Sequence, residues 1–462
     1  MKLFCDSEKY KIYNGSMLDM LEVIEQNSID SIVCDPPYEL GFMGKKWDSF
    51  GIAFQPKTWE KCLKVLKPGG YLLAFGGSRT FHRIAVAIED AGFEIRDTIM
   101  WLYGSGFPKS MNIGFAVDKK NGIDNRTGII KKDGGVGGGV RTFSDDNYEW
   151  KKEYEERMAT NEWQGWGTAL KPAYEPIIVA RKPFKTTVVE NIMKYGVGGI
   201  NIDECRIPTD EFKEKKFKIK DFSNHKGSMM SFTTKKEKQN KTIEVNANNL
   251  GRFPANVIHD GSEEVISGFP DTNPTKSHDG DGLSLDTKNM GWGFKRMPSA
   301  IEDNGGSASR YFYCAKASKK DRDEGLDMFE EKMVTDSCIR SNKETAREFG
   351  ANSALRKNIH PTVKPTELMQ YLVRLVSPKG ATILDPFMGS GSTGKAAMFE
   401  NRERDANYKF IGIDLEKEYC EIAKARIDYA LNKYKYDYQQ ELKNAEEQGQ
   451  ISLDLFGDVN AN

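Results

Sequence analysis

Short apolar runs alternate with amphipathic stretches through the first 183 residues. Residues 29–34 (IDSIVC) read as a buried strand, and residues 59–66 place apolar side chains at 59, 62, 63 and 66, the spacing of one helix face. The turn Lys67-Pro-Gly-Gly70 is expected to end that helix, with residues 71–75 forming the next strand. A helix over 81–91, stopped by Gly92, and a strand over 95–102 continue the pattern. This β-α-β-α-β rhythm predicts a parallel sheet with helices on its faces. It lapses between 184 and 345, where Gly, Asn, Ser, Lys and Asp dominate and only 256–259 and 310–314 look strand-like. From 346 it resumes: helix 367–376, strand 381–384, helix 393–400, strand 410–413 and helix 419–431, before a polar tail. The expected architecture is α/β. One sheet is assembled from 1–183 and 346–430, an α+β domain is inserted at 184–345, and a tail covers 431–462. No internal repeat is visible.

Composition narrows the function classes. The 462 residues are 38% hydrophobic and 29% charged, with a net charge of −1, which excludes a uniformly basic nucleic-acid binder. A local exception is 213–241, with ten lysines against Glu214, Asp221 and Glu237, enough to meet several phosphates or to form a solvated loop. No apolar run approaches the roughly 18 residues of a membrane span, and the first residues lack a signal pattern, so no membrane partner and a cytoplasmic location are expected. Seven scattered cysteines without a CxxC, and five histidines, suggest neither a zinc site nor a disulfide framework. Cys34 is read as a small apolar filler at a strand end. The glycine-rich stretch 131–139 lacks a following helix and makes no convincing phosphate site.

Two segments carry chemistry. The first, residues 381–394 (ATILDPFMGSGSTG), is a strand, an acidic turn, a glycine loop and a helix start. About thirty residues later a second strand ends at Asp414, where an acid typically holds the ribose hydroxyls of a nucleoside ligand. Three ligands compete. Gly389 to Gly394-Lys395 satisfies the phosphate-loop spacing, but Ala396 stands where that loop needs a hydroxyl for magnesium. Gly389, Gly391 and Gly394 also match a dinucleotide fingerprint weakly. S-adenosylmethionine, with its sulfonium and amino group, suits the Asp385-Pro386 turn. The second segment is Asp35-Pro36-Pro37-Tyr38, directly after a buried strand. Its prolines stiffen a loop that offers a carboxylate, a backbone carbonyl and an aromatic ring. Such a loop can accept both N–H bonds of an exocyclic amine, free its lone pair for attack, and stack the base on Tyr38.

The order of these segments, with the tetrapeptide first and the glycine loop last, resembles the β-class amino-methyltransferases of DNA, bacterial and phage enzymes, and implies their Rossmann-like methyltransferase fold in circularly permuted order. The segment 358–365 (NIHPTVKP) strengthens the likeness. By that resemblance Asp35, Pro36, Pro37 and Tyr38 are catalytic, and Asp385, Pro386, Phe387, Gly389, Gly391, Thr393 and Asp414 surround S-adenosylmethionine. Thr362 and Lys364 contact its carboxylate, and His360 and Pro361 shape the turn. No metal is implied, because a sulfonium is already an activated leaving group. Residues 163–182, 198–206, 251–260 and 309–325 also look like segments of such enzymes, and 184–345 is expected to recognise the target. One departure stands out: in such enzymes the strand 11–15 usually ends in Gly-Asp, with that Asp at the cofactor, but Ser16 follows Gly15 here; Ser16 itself, or Asp19 one turn later, is expected to take the place of that acid. The leading Asp35 favours adenine N6, with cytosine N4 as the alternative; cytosine C5 chemistry needs a Pro-Cys that the chain lacks. A DNA-binding regulator without catalysis is the reading from another class. Duplex DNA is the implied partner, and the resemblance admits a homodimer and a cognate restriction endonuclease.

Overall fold

The computed structural model describes residues 2–40, 51–106, 110–123, 158–209, 217–220, 242–245, 251–274, 303–316, 320–335 and 353–447. The glycine-rich stretch 131–139, nearly all of the lysine-rich stretch 213–241 and the tail beyond 447 lie outside them. Two compact units divide the chain, one of residues 1–104 with 174–462, the other of residues 105–173.

The larger unit is built on a ten-stranded sheet. Its strands are β1 (Lys2–Asp6), β2 (Tyr10–Asn14), β3 (Ile29–Cys34), β4 (Leu66–Phe75), β5 (Glu94–Leu102), β6 (Tyr174–Arg181), β7 (Val257–His259), β8 (Tyr313–Cys314), β9 (Thr382–Asp385) and β10 (Lys409–Asp414). They lie in the order β1-β2-β10-β9-β3-β4-β6-β5-β7-β8. The run from β2 to β4 is parallel, as the sequence rhythm predicts. Strand β6 breaks the rule by running antiparallel to both β4 and β5. Two adjoining turns of chain therefore meet at one sheet edge: the start of β6 lies beside the ends of β4 and β5. Residues within 184–345 supply β7 and β8, which extend the sheet beyond β5.

Alternation along the strands sorts side chains to opposite faces. Val33, Leu73, Phe75, Ile177, Val179 and Ile383 join one core cluster, which takes in helix α6 (Thr366–Val376) and helix α7 (Ser392–Arg404). Ile32, Cys34, Leu72, Ala74, Ile178 and Leu384 join the other, against α2 (Pro56–Val65) and α3 (Phe81–Asp90). The interior thus has helices on both faces, a doubly wound Rossmann-like arrangement. Trp59 of α2 is fully buried, and its indole N–H donates to the Ala53 carbonyl at 2.9 Å. The last helix, α8 (Lys417–Glu447), is two helices merged across a kink at Asn432, one residue past the predicted end.

Two boundaries differ from expectation for physical reasons. The turn Lys67-Pro-Gly-Gly70 does not separate helix from strand: β4 runs continuously from Leu66, with an irregularity opposite β3. Gly69 N–H donates to the Lys182 carbonyl at 3.0 Å and Lys182 N–H to the Gly70 carbonyl at 2.9 Å, so the turn is absorbed into the ladder. Residues 310–311 belong to a 3-10 turn (Ala308–Tyr311), because Arg310 and Tyr311 are drawn onto Asp303. The strand proper is only Tyr313–Cys314.

The smaller unit contains α4 (Ile113–Lys120), capped by Asn112, whose side chain accepts from Phe115 N–H at 3.0 Å. Asp118 is buried and accepts from Thr160 N–H and Oγ1, each at 2.8 Å, which ties the unit's two chain segments together. No helix among the described residues is long and apolar enough to cross a membrane.

Candidate active site

The carboxyl ends of β3, β9 and β10 are adjacent in the sheet, and each is followed by one of the chemistry-bearing residues. Parallel pairing sets Ile383 against Ser31 and Leu384 against Ile32, so Asp35 and Asp385 leave neighbouring strand ends. A hydrogen bond from Thr393 Oγ1 to the Val33 carbonyl at 3.3 Å ties the two segments directly. A cavity of about 500 Å³ opens there. Asp35, Pro36, Pro37, Tyr38, His360, Thr362, Lys364, Asp385, Pro386, Phe387, Gly389, Thr393, Asp414 and Ser16 all line it. Residues 350 positions apart are thus brought to one cleft of a size suited to a nucleoside-sized ligand.

On one side stands a compact charged cluster. Lys364 Nζ lies 2.7 Å from Asp35 Oδ2 and 3.1 Å from Glu175 Oε2, and donates to Tyr38 Oη at 3.1 Å. The Tyr38 hydroxyl in turn donates to Glu175 Oε2 at 3.1 Å. The ammonium also sits 4.8 Å from the Phe75 ring centre and 5.3 Å from that of Tyr38. Burial pulls the Lys364 pKa down, but Asp35 and Glu175 outweigh it and hold the ammonium charged. Burial, then Asp35 and Glu175, push the Tyr38 phenol well above its usual range, so it stays neutral. Asp35 Oδ1 is buried and has no hydrogen-bond partner among the described residues. An unpaired buried acceptor costs about 1–3 kcal/mol or more for a charged group, which a donor arriving in the cleft would recover.

The other side is a cradle. Asp414 Oδ2 accepts from Gly389 N–H at 2.7 Å and Oδ1 from Glu416 N–H at 2.8 Å. Each oxygen keeps a further lone pair. Burial raises the Asp414 pKa to about 7, against the two amide bonds that lower it. Asp385 is 2% exposed, accepts from Phe387 N–H at 3.0 Å and from Thr393 Oγ1 at 2.6 Å, and is likewise raised to about 7 by burial. His360 is held down at about 4 by burial, so its ring is neutral at pH 7, with Nδ1 2.5 Å from the Thr362 carbonyl. Gly389 has φ +51°, and a Cβ there would lie 2.7 Å from His360 Nε2.

Several expectations change. Lys364, expected at a cofactor carboxylate, has its ammonium engaged by Asp35 and Glu175 instead. Gly391 does not line the cavity; at φ +75° it lets α7 pack on α8, where a Cβ would stand 2.7 Å from Ala423 Cβ. Gly391→Ala is therefore expected to destabilise the fold by about 1–3 kcal/mol through overpacking and a strained φ, read from urea unfolding. Ser16 lines the cavity and caps helix α1 (Met17–Met20), accepting from Leu18 N–H at 3.3 Å, whereas Asp19 is exposed and lies outside the lining. The phosphate-loop reading is removed by Lys395: its side chain is fully buried away from the cleft, paired with Asp321 at 2.6 Å and Glu324 at 2.9 Å.

Glu175 escaped the sequence reading. Its one signal was a carboxylate at the head of an otherwise apolar strand, Tyr-Glu-Pro-Ile-Ile-Val-Ala. Had β6 been parallel, that residue would sit at the far edge of the sheet; being antiparallel, it faces the cleft.

A family profile described as DNA methylase matches residues 29–425. Among curated relatives, the type II methyltransferase M.HindIII of Haemophilus influenzae is 23% identical over 232 residues, covering 41% of this chain and 64% of that one. The type II methyltransferase M2.DpnII of Streptococcus pneumoniae is 45% identical over 69 residues, 15% of this chain and 24% of its own length. The DNA adenine methyltransferase YhdJ of Escherichia coli is 39% identical over 71 residues, 15% of this chain and 22% of its own. The matched regions span less than two thirds of each of these relatives. Among solved structures, the M1.HpyAVI–SAM complex is 14% identical with a TM-score of 0.34, covering 90% of this chain and 99% of that one. The PvuII DNA methyltransferase (cytosine-N4-specific) is 11% identical with a TM-score of 0.36, covering 92% and 94%.

Proposed function

The chain belongs to the N6/N4 DNA methylase family, and from that premise we propose that it transfers a methyl group from S-adenosylmethionine to the exocyclic amine of a base in DNA, adenine N6 in preference to cytosine N4. The observation that carries the reading is Asp35 Oδ1, without a partner among the described residues, in the wall of a cavity that also holds the Asp414 cradle. The residues of that cradle suit the cofactor. Asp414 has lone pairs left for two ribose hydroxyls, Gly389 lets backbone approach closely, and the buried Asp385 carboxylate favours a cation nearby. Phe387 and Pro386 supply apolar walls, Ser16 takes the place of the family's usual acid, and Thr362, which lines the same cavity, would hold the methionine end. When bound, S-adenosylmethionine supplies an electrophilic methyl carbon on a sulfonium.

The remaining work falls to this chain's own groups. The target base leaves the duplex at a cost on the order of a few kcal/mol and stacks on Tyr38. Asp35 Oδ1 and the Pro36 backbone carbonyl accept the two N–H bonds of the amine, which draws its lone pair out of conjugation with the ring. Lys364 pins the other oxygen of Asp35, so the carboxylate meets the amine in one orientation. Asp35 is also the acceptor for the proton that the nitrogen sheds. The stiff Asp-Pro-Pro-Tyr loop keeps this geometry without induced movement. Adenine is preferred over cytosine on the leading Asp35, the residue the family's adenine enzymes most often carry there. Target recognition is assigned to residues within 184–345.

The test is direct. Duplex DNA incubated with the protein and isotopically labelled S-adenosylmethionine is digested to nucleosides and analysed by mass spectrometry. Labelled N6-methyl-2′-deoxyadenosine is the expected product. Labelled N4-methyl-2′-deoxycytidine would correct the base, and no labelled nucleoside from parent protein would leave the non-catalytic regulator as the better reading.

A further inference from the structure

Within the charged cluster, one carboxylate at the cleft wall joins the lysine that holds Asp35 to the tyrosine beside it. Glu175 Oε2 is the shared acceptor of the Lys364 ammonium and the Tyr38 hydroxyl, both at 3.1 Å. Lys364 holds Asp35, and Tyr38 is the stacking platform. Resting on the methyltransferase reading, we infer that Glu175 is a positioning residue for the transfer step, fixing the lysine that aims Asp35 and the ring against which the base lies.

Charge balance shows why a carboxylate is required at this place. Lys364 is 8% exposed in its side chain, and a buried ammonium with a single carboxylate partner is costly to keep charged. The groups that face it come from every neighbouring element: Asp35 and Tyr38 from the loop after β3, the Phe75 ring from β4, and Glu175 from β6. Tyr103 past β5 and His360 on the lysine's own loop lie close enough to feel the same charges. Both phenols and the neutral imidazole contribute no charge at pH 7, so Asp35 and Glu175 supply the negative charge around the ammonium. When the amine of a base takes up the lone pairs of Asp35, Glu175 is the partner that keeps Lys364 protonated and in place. The antiparallel course of β6 delivers this residue to the cleft, with Trp101 of β5 opposite it in register.

Three variants test the assignment. Glu175→Gln keeps the shape and a phenol acceptor but removes the charge. Glu175→Asp keeps the charge one methylene short. Tyr38→Phe removes only the hydroxyl. In single-turnover methylation, Glu175→Gln is expected to slow transfer about 100-fold, the scale of a small misplacement of reacting groups. Glu175→Asp should recover part of that loss, and Tyr38→Phe should cost less than Glu175→Gln. The cofactor dissociation constant should stay within about twofold throughout. The rate of Glu175→Gln should also fall at alkaline pH where the parent's does not, as Lys364 loses its proton. Independently of turnover, Lys364 acetylation by acetic anhydride, followed by peptide mass spectrometry between pH 7 and about 10, should rise in Glu175→Gln.

A Glu175→Gln enzyme as fast as the parent, or unchanged Lys364 reactivity, overturns the assignment. So does a loss of rate matched by lost cofactor affinity and lowered melting temperature, since that is a merely structural role. Failure of the methyltransferase reading itself is distinct: parent protein would label no DNA, while the lysine reactivity would still decide the role of Glu175 in the cluster.

Discussion

Asp35→Ala will lower the methylation rate by roughly 10³-fold while cofactor affinity stays within about twofold. The rate estimate is the scale seen when one preorganised hydrogen-bonding group is removed from a reacting centre. It sits at the upper end because the substitution removes both the acceptor for the amine and the partner that Lys364 holds at 2.7 Å. Cofactor affinity is spared because no bond joins Asp35 to the glycine loop or to Asp414 among the described contacts; the cradle is organised by Gly389, Thr393 and Glu416. Asp35→Asn should fall between, since an amide oxygen can still accept from the amine but pairs poorly with the ammonium. Single-turnover rates against cofactor titrations separate the two quantities. A rate within tenfold of the parent would show that the amine is gripped elsewhere.

Asp414→Ala should weaken S-adenosylmethionine binding about 100-fold, in line with losing hydrogen bonds to a charged group at about 1.5–3 kcal/mol each. The same carboxylate predicts a pH dependence. Its pKa stands at about 7 in the ligand-free fold because burial disfavours the charge. Ribose hydroxyls bind the ionised form better, so affinity should rise as pH passes from 6 to 8 and flatten above. Stability of the ligand-free protein should move the other way. Asp414 and Asp385 keep protons up to about 7 when folded, whereas an unfolded chain releases them near 4. The folded state therefore binds more protons across that window, and these two groups make stability decline as pH rises through it. Calorimetric titration at several pH values, paired with urea unfolding, checks both signs. An affinity flat from pH 6 to 8 in parent protein, together with unchanged affinity in Asp414→Ala, would remove Asp414 from the cofactor site.

Much of the sheet was legible because buried strands must be apolar and the helices between them must show one apolar face. The Asp-Pro-Pro-Tyr loop and the glycine loop were legible for a different reason: their residue types are unusual where a strand ends. What escaped notice depended on strand direction and on partners remote in sequence. Glu175 is one charge heading an apolar strand, and its importance comes only from β6 running backwards. The ion pair of Lys364 with Asp35 was also illegible, since nothing local reveals that a carboxylate 329 positions away would engage its ammonium. Gly391 looked like a ligand-facing glycine, but its missing Cβ serves the contact between two helices. Lys395 completed a phosphate-loop spacing on paper, while Asp321 and Glu324 hold it under the helix.

The strand order β2-β10-β9-β3 has a consequence for how the molecule is made. The two strands synthesised last slot between strands completed within the first 34 residues. Until a ribosome has passed residue 414, β2 and β3 each present an open flank, and neither half of the cleft has its counterpart. Contacts so distant along the chain slow folding and leave sticky edges waiting. Nascent chains halted before residue 382 should therefore bind chaperones and be cleared, which makes premature termination a route to loss of protein as well as loss of activity.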